Sequence, residues 1–220
     1  MKKTTNFGLL FFSFFSLVLC GICFASKSAT LDAGETEHLK FMREEEKLAR
    51  DVYLTLGTLY PEVAVFSNIA VSEQQHTDIM AKELDKYNID DPSTDDTVGI
   101  YTGIEYGWYF TDKYSEVLVP WGSTSLLDAL YVGAFIEELD MHDINKCPDV
   151  IVETENGVDE GECGLEYTDE KSLIIAYTSL LDGSKNHLRA YVRSIETIIG
   201  YGNYEAQLLT QEEVDEILGR

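Results

Sequence analysis

The sequence predicts an all-α protein: a four-helix bundle with one long crossover and an acidic, cysteine-bearing loop between its third and fourth helices. Four stretches place apolar residues at helical spacing, almost nothing alternates as a strand would, and Pro, Gly and Asp mark the breaks. A chain of 220 residues with 45% hydrophobic and 11% aromatic content suits one folded domain.

The first helix is expected from about Thr36 to Leu59, ending before Pro61. The second runs from about Glu62 to Tyr87, with Asp90-Asp91-Pro92 as its stop. A Gly- and Tyr-rich segment from Ser93 to Tyr109 follows, and Asp112 to Val119 reads as a short helix. Ser123 is expected to cap the third long helix, which reaches Ile144. The fourth spans Thr168 to Ile199, and Thr210-Gln-Glu-Glu213 reads as a capping box opening a short terminal helix. Between helices three and four, Lys146 to Glu170 carries nine acids against one base, together with Gly157, Gly161, Cys147 and Cys163.

Residues 1–25 read as an export signal, leaving 26–220 as the helical domain. Lys2 and Lys3 precede an uncharged run from Phe7 to Phe24, and small residues at Cys23 and Ala25 offer a cleavage site before Ser26. A retained membrane anchor competes with this reading, because the apolar run approaches transmembrane length. Lipid attachment at Cys20 or Cys23 is disfavoured by Leu19 and Ile22, where a small residue is wanted. Export implies a periplasmic or extracellular protein, soluble once the signal is removed. Cys147 and Cys163 are then the only cysteines left, and in an oxidising compartment they are expected to form a disulfide. The rival reading, two thiolate metal ligands, has neither a CxxC spacing nor a nearby histidine.

With 40 acids against 16 bases, the formal charge is -24. Such a surface repels nucleic acid and anionic membranes and attracts cations. Disordered acidic chains are poor in aromatics, so this acidity decorates a folded body.

The chemistry-bearing residues fall on the inner helix faces. Glu73-Gln-Gln-His76 puts a carboxylate and an imidazole three residues apart on one face of helix two, flanked by Phe66, Ile69 and Met80. On helix one, Glu46 shares a face with Phe41, Met42, Ala49, Arg50 and Tyr53, while Glu44 and Glu45 read as solvated. On helix three, Glu137 continues the stripe Leu127, Leu130, Ala134, Met141, Ile144, and Glu138 is the outward member of the pair. On helix four, His187 follows Leu173, Ala176, Leu180 and Ser184. Any one of these could be an ordinary hydrogen-bonded core residue. Five on four core stripes would form an expensive polar cluster without a metal. His142 reads as outward and His38 as surface.

The segments Phe41-Met-Arg-Glu-Glu-Glu-Lys-Leu-Ala-Arg-Asp-Val-Tyr53, Ala134-Phe-Ile-Glu-Glu-Leu-Asp140 and Gly183-Ser-Lys-Asn-His-Leu-Arg-Ala-Tyr191 resemble the family of unknown function DUF2202. The constellation as a whole resembles the ferritin-like superfamily, and the pattern Glu46, Ala49, Arg50, Tyr53 is similar to that of rubrerythrins. The resemblance spans about His38 to Leu218 and implies a carboxylate-bridged di-iron or di-manganese centre. Glu46 would be the helix-one ligand, Glu73 a bridge, His76 a terminal ligand, Glu137 the helix-three ligand and His187 the helix-four ligand. Such centres bind oxygen or peroxide, oxidise ferrous iron, or reduce peroxide. The superfamily's second ExxH is broken here, since its carboxylate position holds Ser184. Asp140, one turn beyond Glu137, could supply the missing group, whereas Asp182 lies on the wrong face; the alternatives are a site that holds two metals asymmetrically, one that holds a single metal, and a vestigial one. No rubredoxin-type four-cysteine domain is present, so peroxide reduction would need an external electron donor.

Two functions follow from this reading. In the first, the chain is an exported di-metal oxidoreductase or iron-handling protein, with Tyr53 and Tyr191 either beside the ligands or simply core aromatics. In the second, the bundle is scaffold for a binding module whose loop oxygens at Asn156, Asp159, Glu160 and Glu162 take calcium, though no EF-hand spacing exists. Assembly into oligomers is compatible with either.

Overall fold

The structure is a computed structural model that describes Met1 and residues 30–154 and 156–220. The expected export signal lies outside the described residues. Among those residues the fold is all-helical, with no strand, and no helix is long and apolar enough to cross a membrane.

Four long helices dominate: α1 (Ala33–Leu59), α2 (Ala64–Tyr87), α5 (Leu126–Asn145) and α7 (Lys171–Ile199). Short elements fill the connections: α3 (Gly107–Asp112), a π-helical turn (Lys113–Leu118), α4 (Val119–Gly122), α6 (Asp149–Glu153) and the terminal α8 (Gln211–Leu218). α1 packs on α2 and α5 on α7, and the α2–α7 and α1–α5 contacts close the ring. Tyr53 reaches the Gly133 carbonyl and His38 the Asp143 carbonyl, so α1 and α5 are antiparallel. A shared core, including Leu48, Val52, Leu56, Phe66, Leu130, Leu180 and Leu188, fills the space between them.

The boundaries follow local chemistry. α1 begins three residues earlier than expected because Asp32 and Glu35 form a capping box. α2 ends where Asn88 turns left-handed at φ 56°, ahead of the anticipated Asp-Asp-Pro stop. The cap of α5 is Ser125 rather than Ser123: Ser125 is extended and accepts from the Asp128 N–H, while Ser123 closes α4 by donating to the Val119 carbonyl. The expected short helix at 112–119 belongs to a longer helical run from Gly107 to Gly122. The terminal helix opens on the anticipated Thr210–Glu213 capping box.

The largest difference concerns α1, where every residue from Phe41 to Tyr53 is buried. The segment between α2 and α5 wraps the side that the sequence assigns to solvent. Its groups, with Asp51 of α1 itself, meet several of the charges enclosed there. Glu44 accepts from the Gly103 N–H, Lys47 donates to Asp51 and to the Thr97 carbonyl, and Arg50 pairs with Asp51 and Asp96. Glu44 and Glu45 are therefore not solvated. Glu138 is also buried, because the segment after α7 folds over it. The N–H groups of Gln207, Leu208 and Leu209 and the Tyr204 hydroxyl all donate to its carboxylate. His38 is interior as well. The Asp143 carbonyl can only accept, so His38 Nε2 donates to it at 2.8 Å and Nδ1 accepts from Tyr177 at 2.9 Å.

Cys147 and Cys163 form the expected disulfide, with Cα atoms 4.8 Å apart. Val150, Ile151 and Val158 anchor the acidic loop to the core.

Candidate metal centre

Each long helix delivers at least one ligand-type group to a polar belt at mid-core. α1 contributes Glu46, α2 contributes Glu73 and His76, α5 contributes Glu137 and Asp140, and α7 contributes His187; Glu46, Glu73, Glu137 and Asp140 are 0% exposed. The three-residue spacing of Glu73 and His76 places both on the inner face of α2, since one helical turn separates them.

Glu73 is the hub. Its Oε2 lies 2.7 Å from His76 Nδ1 and its Oε1 lies 2.7 Å from His187 Nδ1. Glu46 Oε2 approaches His76 Nδ1 at 3.2 Å, and Glu137 Oε2 approaches His187 Nδ1 at 3.3 Å. Two triads result, Glu46–Glu73–His76 and Glu73–Glu137–His187, each with its ligand atoms within 4.8 Å of one another. Although His187 Nδ1 is close to two carboxylate oxygens, none of the three atoms has an aligned hydrogen bond among the described residues. Short separation with poor alignment is what donor atoms show when they converge on one point rather than on each other. An ion with ligand bonds of about 2.1 Å holds neighbouring ligands roughly 3 Å apart.

Asp140 joins the belt. Its two oxygens have no hydrogen-bond partner among the described residues, and its charge faces Glu46, Glu45, Glu137 and Glu73. Ser184, at the broken ExxH position, donates to the Leu180 carbonyl of its own helix. Beside it, Gly183 leaves room for a histidine: a Cβ there would lie 2.5 Å from both Cε1 and Nε2 of His76. Asp182 points outward, its side chain 70% exposed.

Surrounding groups fix the orientation of these side chains. Ser72 Oγ lies 3.0 Å from His187 Nε2, which turns Nδ1 toward the carboxylates. Tyr53 donates to Glu137 Oε1 at 2.6 Å, leaving Oε2 for His187. Tyr191 packs its ring 5.3 Å from that of Tyr53, and its buried hydroxyl has no partner among the described residues.

Electrostatics follow from burial and crowding. Burial pushes Glu46 up to about 7, against the pull of His76, and Glu137 up to about 6. Burial also pushes Asp140 well above the usual carboxylate range, and nearby Glu46 adds to it. Burial acts on Glu73 in the same direction, but the close imidazoles of His187 and His76 outweigh it and hold Glu73 at about 2. Burial would lower both imidazoles, yet the carboxylates raise His76 to about 11 and His187 to about 10. The donor set of carboxylates and imidazoles suits iron, manganese or zinc.

The acidic loop is different. Asn156 is engaged with Tyr106 and the Val158 N–H, Glu162 accepts from the Asp159 N–H, and no group of convergent ligands occurs there among the described residues.

The site residues with readable motifs are the ones the sequence singles out. Gly183 and Ser72 escape sequence reasoning. A glycine inside a helical pattern is the one available hint, because it costs about 1 kcal/mol relative to alanine and so points to close packing.

Residues 35–220 match the family described as Uncharacterized protein domain (DUF2202). A protein of Methanocaldococcus jannaschii, Uncharacterized protein MJ0754, is 40% identical over 185 residues, covering 84% of this chain and 86% of its own length. The crystal structure of hypothetical protein MJ0754 from Methanococcus jannaschii superposes with a TM-score of 0.72 at 38% identity, covering 88% of this chain and 97% of that one.

Proposed function

The chain belongs to the DUF2202 family, and from that premise we propose that it is a ferritin-like carboxylate protein whose four-helix bundle binds a pair of iron or manganese ions. The observation that carries the proposal is Glu73, whose two oxygens each lie 2.7 Å from a different histidine nitrogen. A carboxylate so placed suits a bridge between two ions. Glu46 and His76 would complete one side, Glu137 and His187 the other, and Asp140 would take the part of the carboxylate absent at Ser184.

Bound at this site, the ions would supply redox and Lewis-acid chemistry toward oxygen or peroxide, or oxidise ferrous iron delivered as substrate. The protein's own contribution is orientation. Ser72 and Tyr53 hold His187 and Glu137 with their free atoms turned inward, and the apolar shell of Phe66, Ile69 and Met80 limits water. With Cys147 and Cys163 joined, the described residues hold no free thiol for electron transfer, so reduction would draw on an external donor. The disulfide also supports the exported location inferred from the leader.

Metal analysis of the purified protein after anaerobic Fe(II) loading tests this reading. About two ions per chain are expected for a bridged pair, with both lost in Glu73→Ala. Retention of full stoichiometry in that variant, or no transition metal in the parent protein, overturns it.

A further inference from the structure

We propose that divalent cations reach the buried centre along the α1–α5 seam, passed from His142 at the surface through Asp143, Glu45 and Asp140. The inference rests on the two-ion reading above, since it supplies that centre with a route.

Three acids outside the two triads line this seam. Asp140, Glu45 and Asp143 are 0%, 2% and 4% exposed. Both Asp140 oxygens and Glu45 Oε2 have no hydrogen-bond partner among the described residues. A structural role for buried acids looks different in this same protein. Glu138 is held by three backbone N–H groups and a tyrosine hydroxyl. Asp140 lacks any such provision, and an unpaired buried carboxylate is costly unless a cation visits it; Glu45, beside Asp143, leaves one oxygen open.

Their order along the fold makes a ladder. Glu137, Asp140 and Asp143 recur at three-residue steps on α5, so adjacent members are neighbours on the helix surface. Six residues advance about 9 Å along the axis. Opposite them on α1, Glu45 adjoins the ligand Glu46. Its carboxylate is crowded by those of Asp143 and Glu46, and the Asp140 carboxylate by those of Glu46 and Glu45. At the outer end, His142 is half-exposed, and its Nδ1 lies 2.7 Å from Asp143 Oδ1. His142 lines a surface pocket with Asp149, Glu160 and Glu166 against the Cys147–Cys163 bridge. The three acids outnumber the single base Lys146 at this rim and would draw cations toward the mouth. The cation that faces Glu45 from the neighbouring π-helical turn is Lys113, 5.2 Å over the Tyr109 ring.

Stopped-flow uptake of Co(II) by the metal-free full chain, followed by cobalt absorption, tests the route without redox chemistry. Glu45→Gln and Asp143→Asn should slow uptake by about tenfold or more while reaching the parent stoichiometry, and Lys113→Gln should accelerate it. A surface variant, Glu160→Gln with Glu166→Gln, folds regardless of the buried ladder; it should slow uptake and flatten its dependence on ionic strength. Parent-like rates in the ladder variants, or in the surface variant if a ladder variant does not fold, overturn the route alone. A parent protein that takes up no cobalt overturns the centre, and the route with it.

Discussion

Replacing Gly183 with alanine separates the fold from the proposed metal centre. A Cβ at this position would lie 2.5 Å from Cε1 and Nε2 of His76. Ordinary carbon contacts sit at about 3.5–4 Å, so the imidazole must retreat by roughly 1 Å or more. In the metal-free protein two effects oppose each other. Alanine in mid-helix gains about 1 kcal/mol over glycine. The displaced ring weakens its contacts with Glu73 at 2.7 Å and Glu46 at 3.2 Å, and charge-assisted bonds of this kind contribute roughly 1.5–3 kcal/mol. The net expectation is a modest loss of about 0.5–2 kcal/mol in urea unfolding. Metal binding has no compensating gain. Changes one shell removed from an ion already cost about 10–100-fold in affinity, so moving the ligand itself should cost at least about 100-fold at one of the two sites. Calorimetric titration with Co(II) reads this directly: one ion should bind as in the parent and the other weakly. If Gly183→Ala binds two ions with parent affinity, the close approach does not position His76 and the reasoning fails.

Other expectations concern the fold. Glu138→Ala should lower stability by about 3 kcal/mol or more, because three backbone N–H groups lose a buried acceptor; a urea-derived loss under about 1 kcal/mol would contradict the capping role. His38 is buried and held neutral, its proton affinity lowered by burial. The unfolded chain therefore gains a proton below about pH 6.5 that the folded chain resists, and this contribution to stability, full above that pH, falls by about 1.4 kcal/mol per unit as pH drops. The stability gap between the parent and His38→Gln should narrow at that slope below pH 6.5, and a gap constant from pH 7 to 5 would refute it. Reducing the Cys147–Cys163 bridge, which spans a sequence separation of 16, should cost about 3 kcal/mol in thermal or urea unfolding.

What the sequence discloses depends on whether a residue's partners are local. Glu73 and His76 are legible because one helical turn relates them, and Glu46, Glu137 and His187 because each continues an apolar stripe. The long helices are legible for the same reason. Glu44, Glu45, Glu138 and His38 are not, because their partners lie far away in the chain: Gly103 for Glu44, Asp143 for Glu45 and His38, and Gln207–Leu209 for Glu138. Helical periodicity reports which face is apolar. It does not report that a connecting segment returns to cover the polar face, and α1 is enclosed on both. Ser125 outcompetes Ser123 as a cap by a similar margin of context, since Ser123 is already committed to ending α4.

The fold should not depend on the ions proposed for the centre, because an apolar core surrounds the polar belt. Small zinc domains unfold without metal because the ligands are most of their interior. Here Leu48, Val52, Phe66, Leu130, Leu180 and Leu188 provide an apolar core around the polar belt, and the belt has an internal balance of its own. With His76 and His187 raised and Glu73 held low, charged imidazoles sit against a charged carboxylate, while Glu46 and Asp140 are pushed toward their neutral forms. Two divalent ions would bring positive charge to match four carboxylates, Glu46, Glu73, Glu137 and Asp140, with both histidines neutral as ligands must be. The belt thus exchanges one compensated arrangement for another. Chelated protein should keep its helical circular dichroism and a cooperative melt, with a lower midpoint that recovers on adding metal in proportion to concentration over dissociation constant. A chelated chain that loses its helices would mean that the ions, rather than the apolar core, hold α1 among its neighbours.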